Sequence, residues 1–178
     1  GDVYTHSNKG GAIKHEGESG DFTLTVINNN GGLIRGGNRE AIYTTINNVD
    51  IENKAGATIS CNGSSCDNTI RLLSQTANAT LTNAGTISAL GTGAIERRGS
   101  TSTTITNSGT IEAGDNAIIV ASGTVQTITN TGLISVTSGA DIDNNGTITT
   151  LENDQGGNDA LIYDGAVPTN YNIIVNSA

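Results

Sequence analysis

The amino-acid sequence predicts an all-β fold: a right-handed parallel β-helix, or β-solenoid, of about seven coils of ~24 residues, each with three short strands. Three observations lead there. A short apolar-Asn-Gly motif recurs with a period near 24, apolar and polar residues alternate around it, and the composition cannot fill a thick core. The 178 residues make one domain. They include 24 Gly, one Pro and one Phe but no Met or Trp, and charged residues reach only 14%. Isoleucine recurs along the whole length and charge is low, so the chain has the means to bury a core and disorder is disfavoured.

The motif is Ile/Leu-x-Asn-x-Gly-x-Ile/Leu. It occurs at Leu81-Asn83-Gly85-Ile87, Ile105-Asn107-Gly109-Ile111, Ile128-Asn130-Gly132-Ile134 and Ile142-Asn144-Gly146-Ile148. An earlier copy is Ile27-Asn29-Gly31-Leu33, and a stretched one is Ile51-Asn53-Gly56-Ile59. Subtracting successive Asn positions (29, 53, 83, 107, 130 and 144) gives spacings of 24, 30, 24, 23 and 14. A weaker unit lies between the motifs, as in Ala41-Ile42, Thr69-Ile70, Ala94-Ile95 and Ala117-Ile118. The alternation around each unit has period two, which is strand and not helix.

One coil of this size cannot bury its own apolar side chains, so coils must stack, each strand pairing in parallel with its counterparts about 4.8 Å away. The expected core stack is Ile27, Ile51, Leu81, Ile105, Ile128 and Ile142. The expected ladder of stacked side-chain amides is Asn29, Asn53, Asn83, Asn107, Asn130 and Asn144. Asn also tolerates a left-handed turn, and the Gly two residues on supplies a turn position without a Cβ.

The chain reads as a single domain over 1–178. Within it, 1–22 form an irregular N-terminal segment, 23–162 regular coils, and 163–178 an irregular C-terminal strand segment that holds the sole proline, Pro168. The 30-residue spacing exceeds 24 by six, the length of Cys61-Asn62-Gly63-Ser64-Ser65-Cys66, which therefore reads as a loop (61–66) extruded from one corner. Cys61 and Cys66 read as a disulfide, with two free thiols as the alternative; the pair lacks the companion ligands of a zinc site. The 14-residue spacing marks a shortened coil near 131–144. Arg97-Arg98 read as a solvated turn. The chain opens at Gly1 with neither Met nor signal peptide, as a mature or excised fragment would.

Segments such as Ile105-Thr106-Asn107-Ser108-Gly109-Thr110-Ile111-Glu112-Ala113 resemble the repeats of bacterial autotransporter passenger domains, over roughly residues 23–178. Leu161-Ile162-Tyr163-Asp164-Gly165 and Pro168-Thr169-Asn170-Tyr171-Asn172-Ile173-Ile174 are similar to the stretch near a passenger's end. The resemblance implies a parallel β-helix secreted through an outer-membrane barrel, commonly an adhesin, and a closely spaced cysteine pair suits that family.

A net charge of −9 with only eight basic residues excludes a nucleic-acid partner, and no apolar run is long enough to span a membrane. No catalytic or metal centre is read from the sequence. His6 and His15 have no partner at an informative spacing. The pairs Asp50/Glu52 and Asp141/Asp143 fall at opposite ends of one outward column and are too far apart to cooperate as acid and base. Gly156-Gly157-Asn158-Asp159-Ala160-Leu161 is an incomplete calcium nonapeptide, so no cofactor is expected and Ca2+ stays unsupported. Asn62, Asn78 and Asn145 head N-glycosylation acceptor triplets of the kind chance supplies in so Asn-rich a chain.

Between the acidic pairs, Thr80, Thr82, Thr104, Thr106, Thr127 and Thr129 form a possible polar binding face. The expected function is a non-enzymatic extracellular or cell-surface rod, structural or adhesive. Its partners are further copies stacked end to end and host or matrix surface molecules. Two alternatives are an ice-binding solenoid that uses the Thr ranks and a carbohydrate-active β-helix enzyme.

Overall fold

The computed structural model describes residues 3–4, 11–16, 23–45, 48–63, 65–73, 78–99, 102–154, 163–165 and 170–173. Every regular element among them is a strand, and the strands stack in three parallel sheets. Numbered along the chain, sheet A holds β1 (Val3–Tyr4), β4 (Leu33–Gly36), β7 (Thr58–Cys61), β10 (Thr86–Ala89), β13 (Thr110–Ala113) and β16 (Leu133–Val136). Sheet B holds β2 (Ile13–His15), β5 (Ile42–Thr44), β8 (Asn68–Leu72), β11 (Gly93–Arg97), β14 (Asn116–Val120), β17 (Ile142–Asn144) and β19 (Tyr163–Gly165). Sheet C holds β3 (Thr23–Asn28), β6 (Asn48–Asn53), β9 (Ala79–Asn83), β12 (Ser102–Asn107), β15 (Thr124–Asn130), β18 (Thr147–Asn153) and β20 (Asn170–Ile173).

From β1 to β18 the chain thus visits A, B and C in turn, β19 and β20 then extend B and C, and each interior strand pairs with its counterparts one coil before and after. Five full turns run from Leu33 to Asn153, fewer than the roughly seven expected, with β1–β3 before them and β19 and β20 after them. Those ends nevertheless continue the sheets: β1 and β2 pair with β4 and β5, and β19 and β20 pair with β17 and β18. The segments expected to be irregular carry part of the rod.

The core is three columns of side chains in register. Ile34, Ile59, Ile87, Ile111 and Ile134 line sheet A; Ile42, Ile70, Ile95, Ile118 and Ile142 line sheet B; and Val26, Ile51, Leu81, Ile105, Ile128 and Leu151 line sheet C. All are buried. Each such side chain contributes roughly 2 kcal/mol of apolar burial, and it does so only with a coil on either side.

The structure revises four expectations. The core residue of β3 is Val26, paired with Ile51, while Ile27 points outward and is 54% exposed. The stretch Val26-Ile27-Asn28-Asn29 offers the motif in two frames, and a one-residue slip turns every side chain to the opposite face. Ile142 is buried, but it belongs to sheet B above Ile118 and not to sheet C. Its motif copy repeats the same letters at a different corner, so the shortened coil near 131–144 does not exist; Asn130 pairs with Asn153, 23 residues on.

The six extra residues of the third coil are also not one extruded loop. Relative to the coil above, two sit between Asn53 and Thr58, three between Cys61 and Asn68, and one between Leu72 and Ala79, as the pairings of Thr58 with Thr86, Cys61 with Ala89, Asn68 with Gly93 and Ala79 with Thr103 require. Cys61 is the last residue of β7, and the loop after it is tied down by a hydrogen bond from Gly63 N to Gly37 O of the preceding coil.

Arg97, finally, is fully buried in β11, stacked between Leu72 and Val120. Alternation from the inward Ile95 through the outward Glu96 points it into the rod. There its Nε donates to Thr103 Oγ1 at 2.7 Å and its Nη1 donates to the carbonyl of Arg98. Burial lowers its pKa from the ordinary guanidinium value. Arg98 alone keeps the solvated role, paired with Glu96.

Candidate functional site

Four features offer chemistry: an internal amide ladder, a bridged corner, a charged column on sheet B and a threonine face on sheet C. The ladder runs Asn28, Asn53, Asn83, Asn107, Asn130 and Asn153, with each Nδ2 donating to the next Oδ1 at 2.9, 2.8, 2.8, 2.7 and 2.7 Å. The same Nδ2 groups also donate to the carbonyl that opens the next coil's sheet A strand, as from Asn83 to Thr110 O at 3.0 Å and from Asn107 to Leu133 O at 3.1 Å. All six residues are buried.

Four of the six expected ladder members stand in this column. Asn29 is replaced by its neighbour Asn28 and is itself exposed, for the frame reason given above. Asn144 is buried at the end of β17, where it accepts from Gly146 N, and Asn153 takes its place. Asn153 lacks the following Gly-x-Ile, which hid it from motif reading.

No residue other than Gly has positive φ among the described residues, so the asparagines serve the ladder and not a left-handed turn. Of the motif glycines, Gly31 and Gly56 have a φ of 74° and supply the expected turn position, whereas Gly85, Gly109, Gly132 and Gly146 do not have positive φ. A Cβ on Gly85 would run into the carbonyl oxygen of Ala57, one on Gly109 into that of Gly85, and one on Gly132 into that of Gly109. These three glycines are required because successive coils approach each other too closely at this corner for any side chain.

Cys61 and Cys66 form a disulfide across the corner from sheet A to sheet B, and both are buried. Such bonds persist in oxidising compartments. With a sequence separation of only five, the bridge restricts the unfolded chain modestly, so replacing both cysteines by alanine is expected to cost about 2 kcal/mol. A urea midpoint in the double variant equal to that of the oxidised parent would show that the corner holds itself without the bridge.

The outer face of sheet B carries a charged column. Glu96, buried, accepts a hydrogen bond from Asn68 Nδ2 at 2.7 Å and pairs with Arg98 and Arg71, whose Nε lies 2.6 Å from Oε2 but outside hydrogen-bond alignment. Arg71 also reaches Glu40 at 3.3 Å, so the pairs bridge three coils. Beside them Lys14 lies over the ring of Tyr43 at 5.8 Å, next to a recess of about 260 Å3 lined by Lys14, Glu16, Arg39, Glu40, Tyr43 and Arg71. A second, shallow recess of about 410 Å3 lies at the corner from sheet A to sheet B, among Ser88, Leu90, Glu112, Ser135 and Val136.

The six candidate threonines are brought together on sheet C in two ranks, Thr80, Thr104 and Thr127 beside Thr82, Thr106 and Thr129. The first rank continues to Thr150 and the second to Glu152, while Asp50 and Glu52 precede them. Thr80 Oγ1 donates to Asp50 Oδ1 at 2.6 Å, and Thr129 Oγ1 donates to Glu152 Oε2 at 3.4 Å. A bulge opposite Thr103/Thr104 inserts Gln126 and shifts the register, so that Thr104 faces Thr127.

The two acidic pairs do not share this column. Asp50/Glu52 do flank Ile51, but Asp141 and Asp143 belong to the sheet B side, with Asp141 buried. Among the described residues no three His, Cys, Asp or Glu side chains converge as a metal site, and no helix is long and apolar enough to cross a membrane. His15 closes β2; His6 and the nonapeptide-like stretch 156–161 lie outside the described residues. The acceptor asparagines Asn62, Asn78 and Asn145 are all exposed.

The arrangement is a parallel β-solenoid whose polar groups are spent on an internal ladder, on cross-coil ion pairs and on a hydroxyl face. No family model, curated protein or solved structure matches this chain.

Proposed function

We propose that this chain is a segment of a non-enzymatic extracellular rod, structural or adhesive, of the kind found in bacterial autotransporter passengers. It holds flat polar faces and loops at a distance from a cell surface, and its ends stack on further copies. The observation that carries this reading is the unbroken run of isoleucine and asparagine columns through five coils, a device for length and stiffness that needs no reactive centre. The disulfide supports a location outside the reducing cytoplasm. Adhesion to host or matrix molecules would use the hydroxyl face and the two recesses. Stacking would use the edge strands of each sheet, which among the described residues pair on one side only.

Negative-stain electron microscopy and light scattering test the stacking: rods should lengthen in steps of one chain as concentration rises. A monodisperse monomer at high concentration overturns it. Immunogold label on the exterior of the producing cells tests the location, and label confined to the cytoplasm overturns that part.

A second reading rests on the threonine ranks. Seven threonines on four adjacent strands (β9, β12, β15 and β18) make a regular lattice of hydroxyls and methyls, and ice binding would use such a lattice. Thr106→Leu should then abolish thermal hysteresis; an unsubstituted chain without thermal hysteresis ends this reading.

A further inference from the structure

The charges of this chain are distributed unevenly along its length. The first 98 residues hold all eight Lys and Arg residues and nine carboxylates; residues 99–178 hold eight carboxylates and no basic residue. The coils stack in chain order, so this asymmetry of sequence becomes an asymmetry along the rod. The N-terminal half is close to neutral and carries every cation, while the C-terminal half carries nearly all of the net charge of −9.

The same polarity is seen within sheet B, whose outward positions are aligned from edge to edge. At the N-terminal edge Lys14 on β2 is followed by Tyr43 and Arg71; at the C-terminal edge Asp143 on β17 is followed by Asp164 on β19. The acidic end is electrostatically crowded: burial first, and then the charges of Asp164 and Asp115, push the Asp143 carboxyl above its ordinary range, with Asn145 opposing. At the other end Lys14 is about half exposed and, among the described residues, is held by Glu16 at 2.9 Å and by the Tyr43 ring. An exposed pair of this kind is exchanged for another at little cost.

We infer that copies of this chain join head to tail, with β19 of one copy pairing in parallel with β2 of the next, so that Asp164 stands beside Lys14 of the next copy. This rests on the end-to-end stacking proposed above and adds its direction and the contact that selects it. Extending the register of β17 with β19 and of β2 with β5 by one strand sets Tyr163 against Ile13, Asp164 against Lys14 and Gly165 against His15. Strands in a sheet lie about 4.8 Å apart, which brings the two charges within ion-pair reach. Joining two C-terminal ends would instead oppose two acidic halves, and joining two N-terminal ends would oppose two copies of Lys14. Within this column only the head-to-tail contact sets opposite charges together, and a heterologous contact that does not close on itself propagates.

The test is a charge-swap cycle on the full chain: Lys14→Glu, Asp164→Lys and the double variant, with assembly followed by light scattering and electron microscopy and the fold checked by circular dichroism melts. Each single swap sets like charges together and should raise the concentration needed for assembly by about fivefold, and the double swap should bring it back to within about twofold of the parent. Raising the salt to about 0.5 M should weaken parental assembly. Single swaps without effect, or a double swap as defective as the singles, overturn the head-to-tail contact while leaving stacking intact. A parent chain that never lengthens overturns both stacking and its direction.

Discussion

Asn107→Ala should lower the stability of this rod by about 3 kcal/mol, the loss associated with a buried side chain that both donates and accepts. Asn107 accepts from Asn83 and donates to Asn130 and to the carbonyl of Leu133, and it has no access to water that could replace those bonds. Truncation removes a rung and leaves Asn130 Oδ1 without the donor below it. For a chain of this length the loss corresponds to a fall in melting temperature of about 10 °C. Asn29→Ala, one residue outside the ladder and exposed, should change stability by less than about 0.5 kcal/mol. Urea unfolding of the two variants side by side decides the matter; equal losses would mean that the asparagines act through local turn preference and not through stacking.

Gly109→Ala is expected to cost as much or more, about 3 kcal/mol, because the added methyl meets backbone on the neighbouring coil and no side chain can rotate out of its way. The carbonyl of Gly85 stands where the Cβ would go, and Gly132 crowds the oxygen of Gly109 from the other side. The informative comparison is Gly31→Ala. Gly31 has a φ of 74° and open space around its missing Cβ, so alanine there meets only the left-handed backbone penalty of about 1 kcal/mol. A larger loss at position 31 than at 109 would overturn the view that coil-to-coil approach, and not turn conformation, requires glycine at 109.

Much of the fold could be read in the residues alone. Period-two alternation is a local property, and a repeat near 24 residues leaves few ways to bury Ile51, Leu81, Ile105 and Ile128 other than one above another. The pairing of Cys61 with Cys66 was legible for the same reason: their proximity is local. The threonine face followed from alternation, since Thr80 and Thr82 must point away from whatever Leu81 points toward.

What could not be read were the choices between equivalent local frames. Val26-x-Asn28 and Ile27-x-Asn29 are the same pattern one residue apart, and only pairing with Ile51 and Asn53 selects the first. Ile142-x-Asn144 has the right letters at the wrong corner, while Asn153 has the right position with poor letters. Arg97 looked like half of a solvated doublet until the stack with Leu72 and Val120 placed it inside. The spacing shows that six surplus residues lie between Asn53 and Asn83, but only the pairings show that three corners share them.

The functional surface divides in the same way. Its ingredients, the threonine ranks and the confinement of every Lys and Arg to the first 98 residues, are properties of sequence order. That charge order becomes a polarity between two ends only because the coils stack in chain order, and Lys14 and Asp164 share one column only because sheet B holds its register from β2 to β19. By itself, then, the sequence determined that this protein is a thin, isoleucine-filled parallel solenoid with a bridged corner. The tertiary structure alone decided which asparagines form the ladder, where Arg97 lies and why Gly85, Gly109 and Gly132 cannot carry a side chain. The physical reason is that burial, close approach and register are properties of a residue together with the coils above and below it, and those neighbours lie some 24 residues away along the chain.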